Sequence, residues 1–155
     1  MANRSVASGE FFATKALEIG FGGYNGPNFS SYIVQYSPRR FNFAFLTENN
    51  ALEVVSPDKV QSVFAFPKLK NDCGYLPTTF AVYTGALDPE TAPLTLAEVR
   101  ALAAPTGSTG KLVLTQGMKF VYQTGEGFKG LIKVKTLGTS GTATRTADIF
   151  YSAEQ

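Results

Sequence analysis

The stretch FNFAFL at residues 41–46 is the clearest structural signal in the chain. Phe41, Phe43 and Phe45 occupy every second position in it. Because successive side chains of a β-strand point to opposite sides of the sheet, this alternation places the three rings on one face. Three neighbouring phenylalanines exposed to water would favour aggregation, so we expect this face to be buried. The stretch therefore predicts a strand that contributes one of its faces to a core.

Strand-like segments continue on both sides of this stretch. The 13 Phe and 7 Tyr favour strands, and the 15 Gly and 8 Pro are spread along the chain as turn formers. The other predicted strands cover residues 10–21, 31–36, 52–55, 63–66, 78–84, 112–115, 118–124, 131–137 and 142–151. The last four of these predict a meander whose strands are joined by glycine turns.

The predicted strand at 131–137 also indicates which of its sides is buried. Ile132 and Val134 alternate with Lys133 and Lys135. Such an alternation is typical of a strand with one face in the core and the other in water. We therefore expect both lysines to be solvated.

One segment has a convincing helical pattern, and it begins at Thr95. Thr95 and Glu98 have the spacing of a capping box, in which each side chain binds the backbone N–H of the other residue. Apolar residues follow at helical spacing and would face the core, namely Leu96, Val99 and Leu102 or Ala103. Pro105 ends the pattern. Together with the strands, this helix predicts a mainly β fold, an antiparallel β-sandwich or barrel with one short α-helix (about 95–104) packed against it.

The length of the chain, 155 residues, suits a single domain. We expect one β-rich domain over 10–152, preceded by a flexible N-terminal arm at 1–9 that is small and polar. The arm has no apolar segment typical of a signal peptide. We therefore expect cytoplasmic synthesis, with the protein either free or incorporated into a particle or assembly. No apolar run approaches the ~20 residues of a membrane span.

The charge of the chain is low and scattered. The net charge is +2, and 17% of the residues are charged, against about 25% in typical soluble domains. Nucleic-acid binding usually depends on a concentrated basic stripe, which this sequence lacks. The charge pattern therefore argues against nucleic-acid binding, and it leaves neutral surface for contacts with other proteins.

The composition excludes most catalytic chemistry. The chain has no His, no Trp and one Cys, Cys73. Serine and cysteine triads need a histidine, and zinc sites draw on histidine and cysteine. Asp72 beside Cys73 opposes formation of a reactive thiolate. We therefore expect no catalytic residues, no metal and no cofactor. An enzyme that uses only carboxylates stays a remote third alternative.

Tyrosines in the predicted loops and on one face of the predicted strand at 31–36 are the best candidates for a contact surface. Tyrosine combines a rigid ring with a polar hydroxyl, which favours it at interfaces. Tyr24 lies in a loop rich in Gly, Asn and Pro, and loops often carry function. The predicted contact residues are Tyr24, Tyr32, Tyr36, Arg39 and Tyr75.

These observations favour a structural or assembly protein, such as a small subunit of a phage particle or another protein assembly. It would act through strand edges and aromatic loops, with other protein subunits as partners, and we expect a homo-oligomer. The alternative is a ligand-binding β-domain that recognises a carbohydrate, a cell surface or a hydrophobic small molecule.

Overall fold

A computed structural model describes residues 2–7, 10–13, 18–19, 43–48, 50–59, 77–140 and 144–153. Its elements in chain order are β1 (Ala2–Ala7), β2 (Glu10–Ala13), β3 (Glu18–Ile19), β4 (Phe43–Glu48), β5 (Ala51–Val55), β6 (Thr79–Val82), α1 (Leu96–Ala101), β7 (Lys111–Val113), β8 (Lys119–Gln123), β9 (Lys129–Ser140) and β10 (Thr144–Ala153). The described strands form two sheets of five strands each: sheet 1 has the order β1-β10-β9-β8-β6 and sheet 2 the order β3-β2-β4-β5-β7. All the strand pairs are antiparallel.

The two sheets bury their facing sides in one shared core, which confirms the predicted β-rich fold as a sandwich. The ring of Phe43 lies 4.9 Å from the ring of Tyr122 and 5.6 Å from that of Phe80, both on sheet 1. Phe45 packs against Phe43 at 5.7 Å. Aromatic rings at such distances contribute both buried area and favourable edge contacts. Phe43 and Phe45 thus supply the centre of the core from the sheet 2 side.

Strand β4 is buried more completely than its alternation predicts. Phe43 and Phe45 are fully buried, as expected, whereas Phe41 lies outside the described residues. Ala44 and Leu46, which point to the opposite side, are buried as well. β4 is therefore covered on both faces.

Helix α1 begins with the predicted capping box. Thr95 Oγ1 accepts from the Glu98 backbone N–H at 3.1 Å, and Glu98 Oε1 accepts from the Thr95 N–H at 2.9 Å. The helix packs on the outer face of sheet 1, with Val99 and Leu102 in a second apolar cluster. The expectation that Leu96 faces the core is wrong, because this helix of six residues reaches the sheet through a single turn and leaves Leu96 49% exposed.

Two segments form strands that differ from the prediction of one strand at 10–21 and a four-stranded meander in the last third. The segment 10–21 forms two short strands, β2 and β3, which pair with each other through Phe12 and Ile19. In the last third, β8, β9 and β10 form the predicted meander, but β7 pairs with β5 in sheet 2. The connection from α1 to β7 therefore crosses from one sheet to the other.

The first residues of the chain also differ from the predicted arm. Ala2–Ala7 form β1, which pairs along its whole length with β10, from Ala2 opposite Tyr151 to Ala7 opposite Thr146. Val6 is buried in the core between the sheets. One apolar side chain at an inward position, together with a complete ladder of backbone hydrogen bonds, accounts for a strand in a segment that is otherwise small and polar. The predicted strands at 31–36 and 63–66 lie outside the described residues.

Candidate functional site

The contact surface predicted from the sequence lies outside the part of the chain that the structure describes. This holds for each predicted contact residue, namely Tyr24, Tyr32, Tyr36, Arg39 and Tyr75, and for the single thiol of Cys73. The contact role of these residues stays a prediction. Within the described residues, three other regions of the surface are distinctive: one side of the sandwich, the outer face of sheet 1 and an open cleft at one end.

The first region is the edge of sheet 1 formed by β6. Tyr83 N donates to Lys119 O at 2.8 Å, which fixes the hydrogen-bonded positions of the ladder between β6 and β8. The alternation of an antiparallel ladder then directs the backbone groups of Phe80 and Val82 away from β8. Phe80 N donates to Ser108 Oγ at 3.1 Å. Val82, by contrast, has no backbone hydrogen bond on this edge among the described residues.

The neighbouring edge of sheet 2 is formed by β7, which contacts β6. Leu114 N donates to Leu52 O at 2.9 Å, so the backbone groups of Lys111 and Val113 point away from β5. Both sheets therefore present an edge strand on the same side of the sandwich.

The side chains on these two edges are unusually apolar for exposed positions. Val82 is 57% exposed and Val113 is 49% exposed, and both are among the most exposed large apolar side chains of the described residues. We call the side formed by β6 and β7 the valine edge. An edge strand with outward N–H and C=O groups and an apolar side chain is a template for pairing with another strand.

The second region is the outer face of sheet 1, where Lys133 holds two acidic side chains. Lys133 Nζ donates to Asp88 Oδ2 at 3.0 Å and to Glu90 Oε1 at 2.9 Å. The hydrogen bond from Lys133 lowers the pKa of Glu90. Burial opposes ionisation of Asp88, but the Glu90 backbone N–H and Lys133 outweigh it, so the pKa of Asp88 is lowered as well. The expectation that Lys133 is solvated is wrong, because its side chain is only 19% exposed beneath these two acids.

Two further lysines bind the same connecting segment from the sheet. Lys119 Nζ donates to the carbonyls of Gly85 and Leu87, both at 2.8 Å. Lys129 Nζ donates at 2.7 Å to two backbone carbonyls at the carboxyl end of α1, where a cation is favoured by the helix dipole. We call Lys119, Lys129 and Lys133 the lysine clamp, because together they hold the segment from Tyr83 to Leu102 against sheet 1.

The described carboxyl groups with perturbed pKa values are all ionised at neutral pH. Asp148 accepts hydrogen bonds from Ser5 and Thr136, and these lower the pKa of Asp148. Asp88 and Glu90 are lowered too, so none of the three has the raised pKa that a general acid needs at neutral pH. In the described part of the chain, no group of three or more His, Cys, Asp or Glu residues is arranged to hold a metal ion.

The third region is a cleft of about 280 Å³ at one end of the sandwich, between the β4–β5 turn of sheet 2 and the β9–β10 hairpin of sheet 1. Tyr151, Ile149 and Ala147 of β10 point into the core, and Arg145 takes the next inward position of the same strand. Arg145 is half-buried and lines the cleft. Among the described residues, no carboxylate lies within ion-pair distance of Arg145.

The sequence carried a signal for Arg145 that the strand assignment alone did not use. Counting back in twos from the apolar positions of β10 places residue 145 on the inner face, where a charged side chain is unexpected. No comparable signal marks Val82 and Val113, because single valines at strand ends are common and their exposure depends on which strands become edges.

Comparison with known proteins gives no relative from which a role can be transferred: no family model, no curated protein and no solved structure matches the chain. No helix among the described residues is both long and apolar enough to cross a bilayer.

Proposed function

We propose that this protein is a non-catalytic assembly subunit that pairs with further copies of itself through the valine edge. The observation that carries this proposal is the coincidence, on one side of the sandwich, of two strands that are the edges of their sheets among the described residues, each with an exposed valine. A protein assembly built from many copies, such as a phage particle, is the kind of structure that such a subunit would form.

The backbone geometry of the valine edge supports strand pairing. On both β6 and β7, the backbone groups of the exposed valine are among those that point outward, next to those of Phe80 and Lys111. A strand from another copy would satisfy these groups and cover Val82 or Val113 in the same step. Hydrogen bonds would set the register, and the apolar contact would add affinity.

The size of the edges supports a limited, specific association. β6 has four residues and β7 has three, and Lys111 lies at one end of β7. Short edge strands and lysine side chains are features by which proteins prevent open-ended pairing. The association would therefore depend on complementary neighbours in an assembly and would not lead to uncontrolled aggregation.

The state of the acidic groups supports a role without catalysis. Asp88 and Glu90 are both bound to Lys133, and Asp148 accepts two side-chain hydrogen bonds. Each of these carboxylates already has a partner within the fold. Together with the absence of histidine from the sequence, this leaves the described surface few groups that transfer protons at neutral pH.

Sedimentation velocity over a range of concentrations tests the proposal. We expect the unmodified protein to form species that are multiples of the chain mass. Val82→Lys and Val113→Lys should each weaken this association at least tenfold, since they place a charge where a second strand would pack. Leu96→Lys is the matched control, because Leu96 is as exposed as Val113 but lies on α1. A monomer at every concentration, or an equal effect of the Leu96 variant, would overturn the proposal.

A further inference from the structure

We infer that the cleft beside Arg145 binds a small organic anion with an apolar body, whose carboxylate pairs with the Arg145 guanidinium. This inference does not depend on the assembly proposal, since the cleft lies at one end of the sandwich and the valine edge is formed by other strands. It gives a specific form to the ligand-binding alternative that the sequence leaves open.

The position of Arg145 is the first step of the argument. It continues the inward row of β10 beyond Ala147, and there it lines the cleft. A cation on the inner face of a sandwich loses part of its hydration, and this loss is costly unless an anion or hydrogen-bond acceptors replace the water. No described carboxylate pairs with Arg145, so an anion from outside the fold would remove this cost.

The polar wall around Arg145 is suited to a carboxylate. Thr139 lies directly opposite Arg145 on β9 and shares its face; Thr146 also lines the cleft, but its side chain points to the other face of β10. Asn50, in the turn between β4 and β5, lines the cleft from sheet 2. A guanidinium binds both oxygens of a carboxylate through parallel N–H donors, and hydroxyl and amide groups add further donors.

The lining of the cleft also includes three leucines, which favours an organic anion over a purely inorganic one. Leu52 and Leu114 line the cleft as part of the main core and are each only 3% exposed, whereas Leu137 on β9 is 36% exposed. A short hydrocarbon chain or ring would cover the exposed part of Leu137 while its carboxylate reaches Arg145. The volume of about 280 Å³ is just below the ~300–1,000 Å³ typical of small-molecule sites, so the ligand must be small.

Titration with hexanoate, followed by amide NMR spectra of the labelled full chain, tests this inference. We expect saturable shifts confined to the cleft, with residues 50–52, 137–139 and 145–147 moving most. Arg145→Gln should weaken hexanoate binding at least tenfold. Arg145→Lys, which keeps the charge but cannot bind both oxygens in parallel, should give an intermediate affinity. Arg100→Gln, on the exposed surface of α1, is the matched control and should bind like the unmodified protein.

Two neutral or shortened probes distinguish the parts of the ligand. Hexanol should bind weakly because it lacks the charge, and acetate should bind weakly because it lacks the apolar body. The inference is overturned if hexanoate causes no saturable shift, if Arg145→Gln binds as tightly as the unmodified protein, or if acetate binds as well as hexanoate. The spectrum of each variant outside the cleft shows directly that the variant is folded.

Discussion

The cations on the two faces of sheet 1 have opposite surroundings. On the outer face, each lysine of the clamp has two oxygen acceptors within 3.0 Å. On the inner face, Arg145 lies at a cleft with no carboxylate partner among the described residues. A cation that the fold itself neutralises contributes to structure, whereas a half-buried cation with no carboxylate partner in the described part of the chain is the one that we propose binds a ligand.

The contacts of the lysine clamp also offset a repulsion between two of its lysines. Lys119 and Lys133 lie directly opposite each other on β8 and β9. Like charges at such positions repel each other across the ladder. The carbonyls of Gly85 and Leu87 and the two acids bound to Lys133 offset this repulsion. The segment 83–102 is therefore an integral layer of the fold.

The largest expected effect tests whether this layer is integral. Leu131→Ala removes a fully buried side chain that packs between β9 and α1. Such a truncation should lower the free energy of unfolding by about 2–5 kcal/mol, because it leaves a cavity beneath the helix. Urea unfolding followed by circular dichroism measures this change.

Leu137→Ala is the control on the same strand, at the cleft. Since Leu137 is 36% exposed, its truncation should cost less than about 1 kcal/mol. Equal losses for the two variants would mean that α1 contributes no more to stability than the cleft wall. The outer face of sheet 1 would then be no more important for stability than the cleft on its inner face.

A smaller effect is expected at the centre of the clamp. Lys133→Met keeps most of the aliphatic side chain but removes the cation between Asp88 and Glu90. The free energy of unfolding should fall by about 1–2 kcal/mol, because two charge-assisted hydrogen bonds are lost in a partly buried place. Lys135→Met is the control: its ion pair with Glu90 is longer, at 3.6 Å, and its side chain is 52% exposed. It should change stability by less than about 0.5 kcal/mol, and a larger loss there than at Lys133 would contradict the role of the clamp.

The ion pairs of Lys133 with Asp88 and Glu90 should also make the stability of the protein depend on pH. The pKa values of Asp88 and Glu90 lie below their ordinary 3.8 and 4.5. Groups with lowered pKa stabilise the fold above their ordinary values, and this contribution is lost as the pH falls through their folded pKa values. The pKa of Lys133 is raised above 10.5, so its contribution is complete below that pH and is lost only at still more alkaline pH.

Urea unfolding between about pH 7 and about pH 3 measures the acidic part of this dependence. Lys133→Met should reduce the slope below pH 4.5, while the part due to Asp148 should persist because Ser5 and Thr136 are untouched. An unchanged slope in this variant would show that Lys133 does not hold the two acids ionised.

Local patterns in the sequence predicted where strands and the helix form better than they predicted which distant residues contact them. The alternation around Phe43 and the capping box at Thr95 each depend on neighbouring residues, and both are confirmed. Lys133 was expected in water because its strand alternates, but the acids that cover it are more than 40 residues away in sequence. For the same reason the pairing of β7 with β5 could not be predicted, since a strand of three residues carries no signal for its partner.

The smallest expected effect completes the contrast between the two faces. Arg145→Gln removes a cation that has no described carboxylate partner, so few interactions are lost. The variant also avoids the cost of partly burying a charge, which offsets the loss. Without ligand, the free energy of unfolding should change by less than about 0.5 kcal/mol, in either direction. With saturating hexanoate, the unmodified protein should gain stability by linkage and the variant should not. Thermal unfolding with and without hexanoate measures both parts. A loss above about 1 kcal/mol in the unliganded variant would show that Arg145 stabilises the fold as the lysines of the clamp do, and the difference between the two faces would disappear.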